Sequence, residues 1–438
     1  NRLIFCMFAE DVSLLPNRMF QRMIEQAHRK PAMFQTHAAT LFAAMQGGGM
    51  VGFEQVEWFN GGLFDDAQSL PLEADDVAEL LAAASLDWSE IDPSIMGTLF
   101  ERGLDPDKRS QLGAHYTDRD KIMQIVDPVI VHPLLAEWEE VRADIAAALD
   151  KAAAAKGAAR TRAENQAGAL HSAFLERLAT FRVLDPACGS GNFLYLSLLA
   201  LKDIEHRVNL DAEAMGLPRG FPRVGPECVL GIELNPYAAE LARVSVWIGE
   251  IQWMRRNGFE AARDPILRPL ETIQNRDAVL GPDGTPADWP DADVVVGNPP
   301  FIGNKKMIAE LGEGYANALR RAWKEVPGGV DFVCYWFAQA DRMIRAGRLA
   351  RAGLVSTNSI RGGASRAVLK DIAAHGRIFE AWSDEPWTVD GAAVRVSLVC
   401  FDGQKGGTAR LNGVEVAEVF ADLTARGADA DMTRALLL

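Results

Sequence analysis

The sequence predicts an α/β protein built on a doubly wound, seven-stranded, mainly parallel sheet whose last strand is antiparallel, with a helical region in front of it. Three observations predict this. After residue 180 short apolar segments alternate with helical ones; several of the strand-like segments end in a carboxylate or a small-residue loop; and the last two strands lie too close in sequence for a crossover helix.

Residues 1–45 carry apolar residues at helical spacing (Leu3, Phe5, Met7 and Phe8, then Met19, Phe20, Met23 and Ile24), broken at Pro16 and Pro31. The Gly47-Gly48-Gly49 and Gly61-Gly62 runs mark loops. Asp75 to Ala84 is again helical, with acidic residues in the first turn where they complement the helix dipole. Residues 93–138 read as helix, turn, helix, with Gly113-Ala114-His115-Tyr116-Thr117-Asp118 in the turn. Residues 141–180, rich in Ala, Glu, Lys and Arg, read as a helical hairpin.

Strands are expected at Arg182–Asp185, Val229–Glu233, Thr272–Gln274, Asp293–Val296, Gly353–Thr357, Ile378–Trp382 and Val394–Phe401. Helices are expected at Phe193–Val208, Tyr237–Arg256, Phe332–Arg345 and Ser365–His375. A sheet of this kind places its ligand crevice at the carboxyl ends of the strands. Only Trp387 to Ala393 separates the last two strands, so they pair as an antiparallel hairpin. The boundaries that follow are 1–92 for a helical connector, 93–180 for the helical start of the catalytic unit, 181–403 for the α/β core and 404–438 for the beginning of a linker.

With 438 residues, 48% of them hydrophobic, the chain has room for one large domain and a satellite. No apolar run approaches the length of a membrane helix and no leader pattern opens the chain, which points to a soluble, cytoplasmic protein. The five cysteines are scattered, without CxxC or His-x3-His partners, so buried thiols are expected rather than a metal site or disulfides. The first residue is Asn and the last stretch is Ala-rich, which reads as a piece of a longer polypeptide.

Four motifs carry chemistry. In Val183-Leu184-Asp185-Pro186-Ala187-Cys188-Gly189-Ser190-Gly191-Asn192-Phe193-Leu194 a strand ends in an acidic residue and a small-residue loop turns into a helix, leaving one carboxylate and several backbone amides to face a ligand. Neither GxxxxGK[ST] nor the GxGxxG spacing is present, so a ligand other than a polyphosphate is favoured. In Val229-Leu230-Gly231-Ile232-Glu233-Leu234-Asn235-Pro236 the next strand ends in Glu233, suited to accept both hydroxyls of a ribose. In Thr272 to Ala278, Asp277 suits an exocyclic amine of an adenine ring and the Ala278 amide a ring nitrogen; a loop Asp that only makes a turn is the alternative.

The fourth motif is Val294-Val295-Val296-Gly297-Asn298-Pro299-Pro300-Phe301. Its two prolines fix the backbone, so the Pro299 carbonyl and the Asn298 side-chain oxygen can point rigidly at one spot. Two acceptors on one spot suit an amino nitrogen that becomes positively charged as it attacks a methyl donor. Phe301 suits stacking on a base swung out of a duplex. Adenine N6, cytosine N4, an RNA base amine and a glutamine side-chain amide all meet these acceptors, and a non-catalytic cofactor-binding subunit is a further alternative.

Together these motifs resemble the amino-methylating, gamma-type class I DNA methyltransferases, in whose order they stand. That resemblance implies a Rossmann-like methyltransferase core, S-adenosylmethionine as cofactor, and adenine N6 of a flipped base in double-stranded DNA as target. It places Asn298, Pro299, Pro300 and Phe301 at the reacting centre. Asp185, Pro186, Ala187, Cys188, Gly189, Gly191, Asn192 and Phe193 fall at the methionine part of the cofactor, Glu233 and Leu234 at the ribose, and Asp277 with Ala278 at the adenine. His115, Tyr116 and Thr117 match the additional motif that wraps the methionine end, with Asp118 where the family usually has Pro.

The segments RLIFCMFAED (Arg2–Asp11), NGGLF (Asn60–Phe64), Gly97 to Phe100 and GAHYT further resemble single-chain restriction-modification enzymes of the MmeI kind. In that family a nuclease domain precedes this region and a target-recognition domain follows it. No PD…(D/E)xK pattern precedes Asp185, so endonuclease activity is not expected of this chain. The net charge of −15 argues against a surface that grips nucleic acid everywhere. Lys305, Lys306, Arg320, Arg321 and Lys324 after the fourth motif, and Arg361 and Arg366 after the fifth strand, all come from the carboxyl-end side of the sheet. They form either a basic rim that focuses DNA onto the cleft or ordinary solvated helix faces.

Overall fold

The computed structural model describes residues 2–59, 62–64, 66–94, 119–259, 270–389 and 392–426. The first helices, α1 (Arg2–Asp11), α2 (Met19–Arg29) and α3 (Phe34–Gly47), are separated where Pro16 and Pro31 each open a short 3-10 turn. The buried Glu10 carboxylate accepts from the Phe20 (2.6 Å) and Gln21 (3.2 Å) amides, satisfying first-turn donors of α2. Helix α4 (Ala74–Ala84) begins where the Asp76 side chain accepts from the Glu73 amide. Between α3 and α4 the glycine run after residue 47, read as loop, instead opens an antiparallel hairpin of β1 (Gly49–Val51) and β2 (Glu54–Val56), turned at Gly52 with φ +65°.

Helix α5 (Arg119–Val126) runs through a π turn at Asp127–Val131 into α6 (His132–Ala154), which pairs with α7 (Ala158–Ala179). Pro128 lies in the π turn, where the absent N–H removes a helical bond. Trp138 and Phe174 pack across the α6–α7 pair with ring centroids 5.2 Å apart.

The seven expected strands form β3 (Val183–Asp185), β4 (Val229–Glu233), β5 (Ile273–Asn275), β6 (Val294–Gly297), β7 (Arg351–Thr357), β8 (Arg377–Val389) and β9 (Ala392–Asp402). Two more, β10 (Ala409–Leu411) and β11 (Val414–Val416), fall in the stretch read as a linker. The order is β11-β10-β8-β9-β7-β6-β3-β4-β5. Strands β3 to β7 are mutually parallel, and β9 is antiparallel to both β7 and β8, as the short gap between the last two predicts. The sheet is therefore nine-stranded, because β10 adds in parallel at Arg410↔Glu380 and Leu411↔Ala381 and β11 folds back on it.

Helices α8 (Asn192–Ala214) and α9 (Pro236–Arg256) cover one face. On the chain's course from β6 to β7 stand α10 (Met307–Leu311), α11 (Glu313–Ala322) and α12 (Cys334–Arg345), and α13 (Arg366–His375) follows β7. Helix α9 is apolar on two sides: Ala239, Ala242 and Val246 join the sheet core, while Leu241, Val244 and Ile248 join the core of α1–α4. A helix hydrophobic all round is a buried one, and this helix docks the amino-terminal layer onto the catalytic unit. All five cysteines are buried and free. Among the described residues no helix is long and apolar enough to cross a membrane.

Candidate active site

Four parallel strands, β5, β4, β3 and β6, stand side by side and end in the four motifs. Because they are parallel, Glu233, Asp185 and the segments 275–278 and 298–301 emerge along one edge of the sheet. This edge lies where the strand order reverses, the place such folds bind ligands.

Asp185 is almost fully buried, and one carboxylate oxygen accepts from the Ala187 amide at 3.0 Å. Burial, reinforced by the nearby Glu233, pushes its pKa up to about 8. Glu233, also buried, accepts from the Gly189 amide (2.9 Å) and the Asn235 amide (2.8 Å), and burial raises its pKa as well. The Gly189 contact ties the first motif to the second. Gly189 (φ +53°) and Gly191 (φ +89°) turn the loop; a side chain at Gly189 would project into open space, whereas one at Gly191 would meet the Ala242 Cα at 2.8 Å. Gly191 thus lets the loop sit directly on α9, and Gly189 leaves the crevice clear above the backbone.

The remaining loop residues divide. Cys188 and Phe193 are buried in the apolar core, so their side chains serve packing and only their backbone can serve a ligand. The Pro186 carbonyl accepts from the Trp336 indole at 3.0 Å. The Asn192 side-chain oxygen is buried without a hydrogen-bond partner among the described residues, in a small cavity lined also by Asp92, Ser94, Arg119, Ile122, Tyr195 and Leu196. Leu234 is 62% exposed and Tyr237 42% exposed, so apolar surface lies beside Glu233.

Asp277 makes the turn that stood as the alternative reading, one oxygen accepting from the Val279 (2.7 Å) and Leu280 (3.0 Å) amides, and its other oxygen accepts from the Tyr315 phenol at 2.7 Å. Ala278 is buried and its carbonyl accepts from the Trp289 indole. His115, Tyr116 and Thr117 lie outside the described residues.

The fourth motif is held against the first. A Cβ on Gly297 would stand 2.5 Å from the Asp185 carboxylate, so a side chain here would have to displace that carboxylate or the strand. Beyond Asn298, Pro299 and Pro300, Phe301 is half-buried and opens onto a cleft of about 520 Å³ bounded also by Asn304, Lys305, Lys306, Glu310 and Asp331. Asp331 joins three loops: it accepts from the Asn304 amide (2.9 Å) and the Ser359 hydroxyl, and its own amide donates to Ser365 Oγ (3.2 Å). Lys305 and Lys306 are exposed on the cleft, whereas Arg361 and Arg366 are half-buried at the turn after β7 and the start of α13. Arg320, grouped with them in sequence, instead hydrogen-bonds the Asn304 side chain at 3.1 Å. Tyr315, Trp336 and Asp331 carry no motif in the sequence; each is assigned by a partner far away in the chain.

Comparison with known proteins places this geometry. Residues 159–412 match the family model described as the MmeI DNA-methyltransferase domain, and residues 1–64 match that of the MmeI helicase spacer domain. DNA methyltransferase A of Bacillus subtilis (strain 168) is 26% identical over 385 residues, covering 84% of this chain and 40% of that protein. A putative type II restriction enzyme and methyltransferase of Methanocaldococcus jannaschii is 24% identical over 294 residues, covering 58% of this chain and 24% of that protein. The chain thus spans less than half the length of either relative. The solved structure of the Type IIL restriction-modification enzyme MmeI in complex with DNA is similar with a TM-score of 0.74 at 25% identity, over 98% of this chain and 58% of that one. By the match over most of its α/β core and the alignment of its motifs along one sheet edge, the chain belongs to the MmeI DNA-methyltransferase domain family.

Proposed function

We propose that this chain transfers a methyl group from S-adenosylmethionine to adenine N6 of a base swung out of double-stranded DNA, in the cytoplasm, as part of a restriction-modification polypeptide. The observation that carries the reading is the approach of Gly297 to Asp185, which sets the Asn298–Phe301 segment against the cofactor loop.

The residues present fit the cofactor. Open space above Gly189 leaves room for a ligand against backbone amides, and a carboxylate can accept about four hydrogen bonds, of which Glu233 uses two within the loop, leaving capacity for a ribose diol. Exposed Leu234 and Tyr237 offer apolar cover beside it. Asp185 supplies a carboxylate for the cationic methionine end and the buried oxygen of Asn192 a further acceptor, and by resemblance of sequence His115, Tyr116 and Thr117 serve the same end. S-adenosylmethionine, when bound, supplies an electrophilic methyl group.

Asn298 Oδ1 and the Pro299 carbonyl accept the two N6 hydrogens, which aims the nitrogen lone pair at that methyl and stabilises the positive charge as the N–C bond forms. Neither group is a base, so the surplus proton leaves to water after transfer. Phe301 stacks on the flipped base, worth about 1–3 kcal/mol against the few kcal/mol of unstacking. Lys305, Lys306, Arg361 and Arg366 attract the backbone to an otherwise acidic protein. Asn298→Ala tests the assignment: transfer is abolished while calorimetric affinity for S-adenosylmethionine stays near wild type, and retained transfer overturns it.

A further inference from the structure

We propose that Tyr315 is a positioning residue for the adenine ring of the cofactor, its phenol holding the Asp277 carboxylate so that one oxygen lone pair is aimed at an exocyclic amine. The proposal rests on the reading that Asp277 meets that ring. Residues 277–279 are braced by three aromatic donors from separate parts of the chain. The Trp289 indole donates to the Ala278 carbonyl (2.7 Å), the Trp323 indole to the Val279 carbonyl (2.8 Å), and the Tyr315 phenol to Asp277 Oδ2 (2.7 Å). The two indoles are fully buried and hold backbone, whereas Tyr315 alone of the three reaches the carboxylate.

The lone pairs can be counted. Asp277 Oδ1 takes two amides, from Val279 and Leu280, and Oδ2 takes the phenol, so of about four acceptor sites one remains, on the oxygen that Tyr315 fixes. Tyr315 is itself held: its ring meets Phe332 edge-on at 6.3 Å, and the Phe332 amide donates to the Ile302 carbonyl (2.8 Å) just after Phe301. Burial and the charge of Asp277 raise the phenol's pKa, so it stays a donor across the working pH range. A fixed acceptor accepts an amine and repels a carbonyl oxygen at the same place, which separates adenosine from inosine.

The test compares S-adenosylhomocysteine with S-inosylhomocysteine by calorimetry. Tyr315→Phe, which keeps the ring packing, lowers affinity for the adenosyl ligand about tenfold and changes affinity for the inosyl ligand by less than about twofold, the loss expected when a hydrogen bond to a charged group is removed. Equal weakening of both ligands, or no change in either, overturns the proposal. Asp277→Asn, which presents an amide in place of the carboxylate, shifts the preference toward the inosyl ligand. If it leaves the adenosyl preference intact, the placement of adenine at Asp277 is wrong whatever Tyr315 does; if it shifts the preference while Tyr315→Phe does not, Tyr315 alone is wrong.

Discussion

Replacing Gly297 by alanine perturbs the candidate site directly, because it adds one methyl group between its two halves. The new Cβ falls 2.5 Å from Asp185 Oδ1 and 3.2 Å from its Cγ, whereas ordinary contacts are 3.4 Å or more, so on the order of 1 Å must be given up. Gly297 does not have a left-handed φ, so the cost is steric rather than conformational. Asp185 cannot yield freely, being buried and held by the Ala187 amide. Strand β6 cannot yield without carrying Asn298 with it. Overpacking of this kind costs roughly 1–3 kcal/mol of stability, and a displacement of about 1 Å at a reacting centre costs on the order of 100-fold in rate. Thermal melting, calorimetric affinity for S-adenosylmethionine and steady-state methylation measured together check it. The variant is expected to stay folded with a melting point lower by about 1–3 °C, to lose about 100-fold in turnover and to bind the cofactor more weakly. Wild-type turnover in a folded Gly297→Ala protein would refute the claim that this approach couples the two motifs.

Two further perturbations follow. Asp185 has its pKa raised to about 8, so below that pH a cationic cofactor must displace a proton to gain a carboxylate; affinity for S-adenosylmethionine therefore rises with pH, approaching tenfold per unit below 8 and levelling above it, with a shallower profile in Asp185→Asn, where Glu233 alone of the pair still titrates. A wild-type profile matching that of Asp185→Asn would exclude Asp185 from the contact. Lys305→Ala with Lys306→Ala reduces the slope of log DNA affinity against log salt by about 2, without changing cofactor affinity, as filter binding across a salt series would report; an unchanged slope would remove both lysines from the interface.

Much of this was legible in the sequence for identifiable reasons. The strands ending at Asp185, Glu233 and Gly297 are short, fully buried and followed by Gly or Pro punctuation, so their positions read directly from the chain. The gap around residues 387–393 excluded a crossover helix, which made the antiparallel end of the sheet predictable. Strands β10 and β11 were not legible because three residues each, Ala-Arg-Leu and Val-Glu-Val, are too few for a period to show; β10 is a strand because the edge of β8 is there to receive it. The β1–β2 hairpin hid behind glycines for a similar reason. Within the site, motifs located the carboxylates but not their partners. Tyr315 lies 38 residues from Asp277, and Trp336 lies 150 from Pro186, separations that only the folded chain closes. Phe193 shows the converse, a motif residue whose side chain is spent on the core.

The central claim, that the Asn298–Phe301 segment presents adenine N6 of DNA to the methyl donor, is tested most directly by nucleoside mass spectrometry. Double-stranded DNA would be incubated with micromolar protein and S-adenosylmethionine carrying a deuterated methyl group, then digested. The account predicts deuterated N6-methyldeoxyadenosine, absent with Asn298→Ala. Label found only on cytosine N4, or in protein with none in DNA, would contradict it.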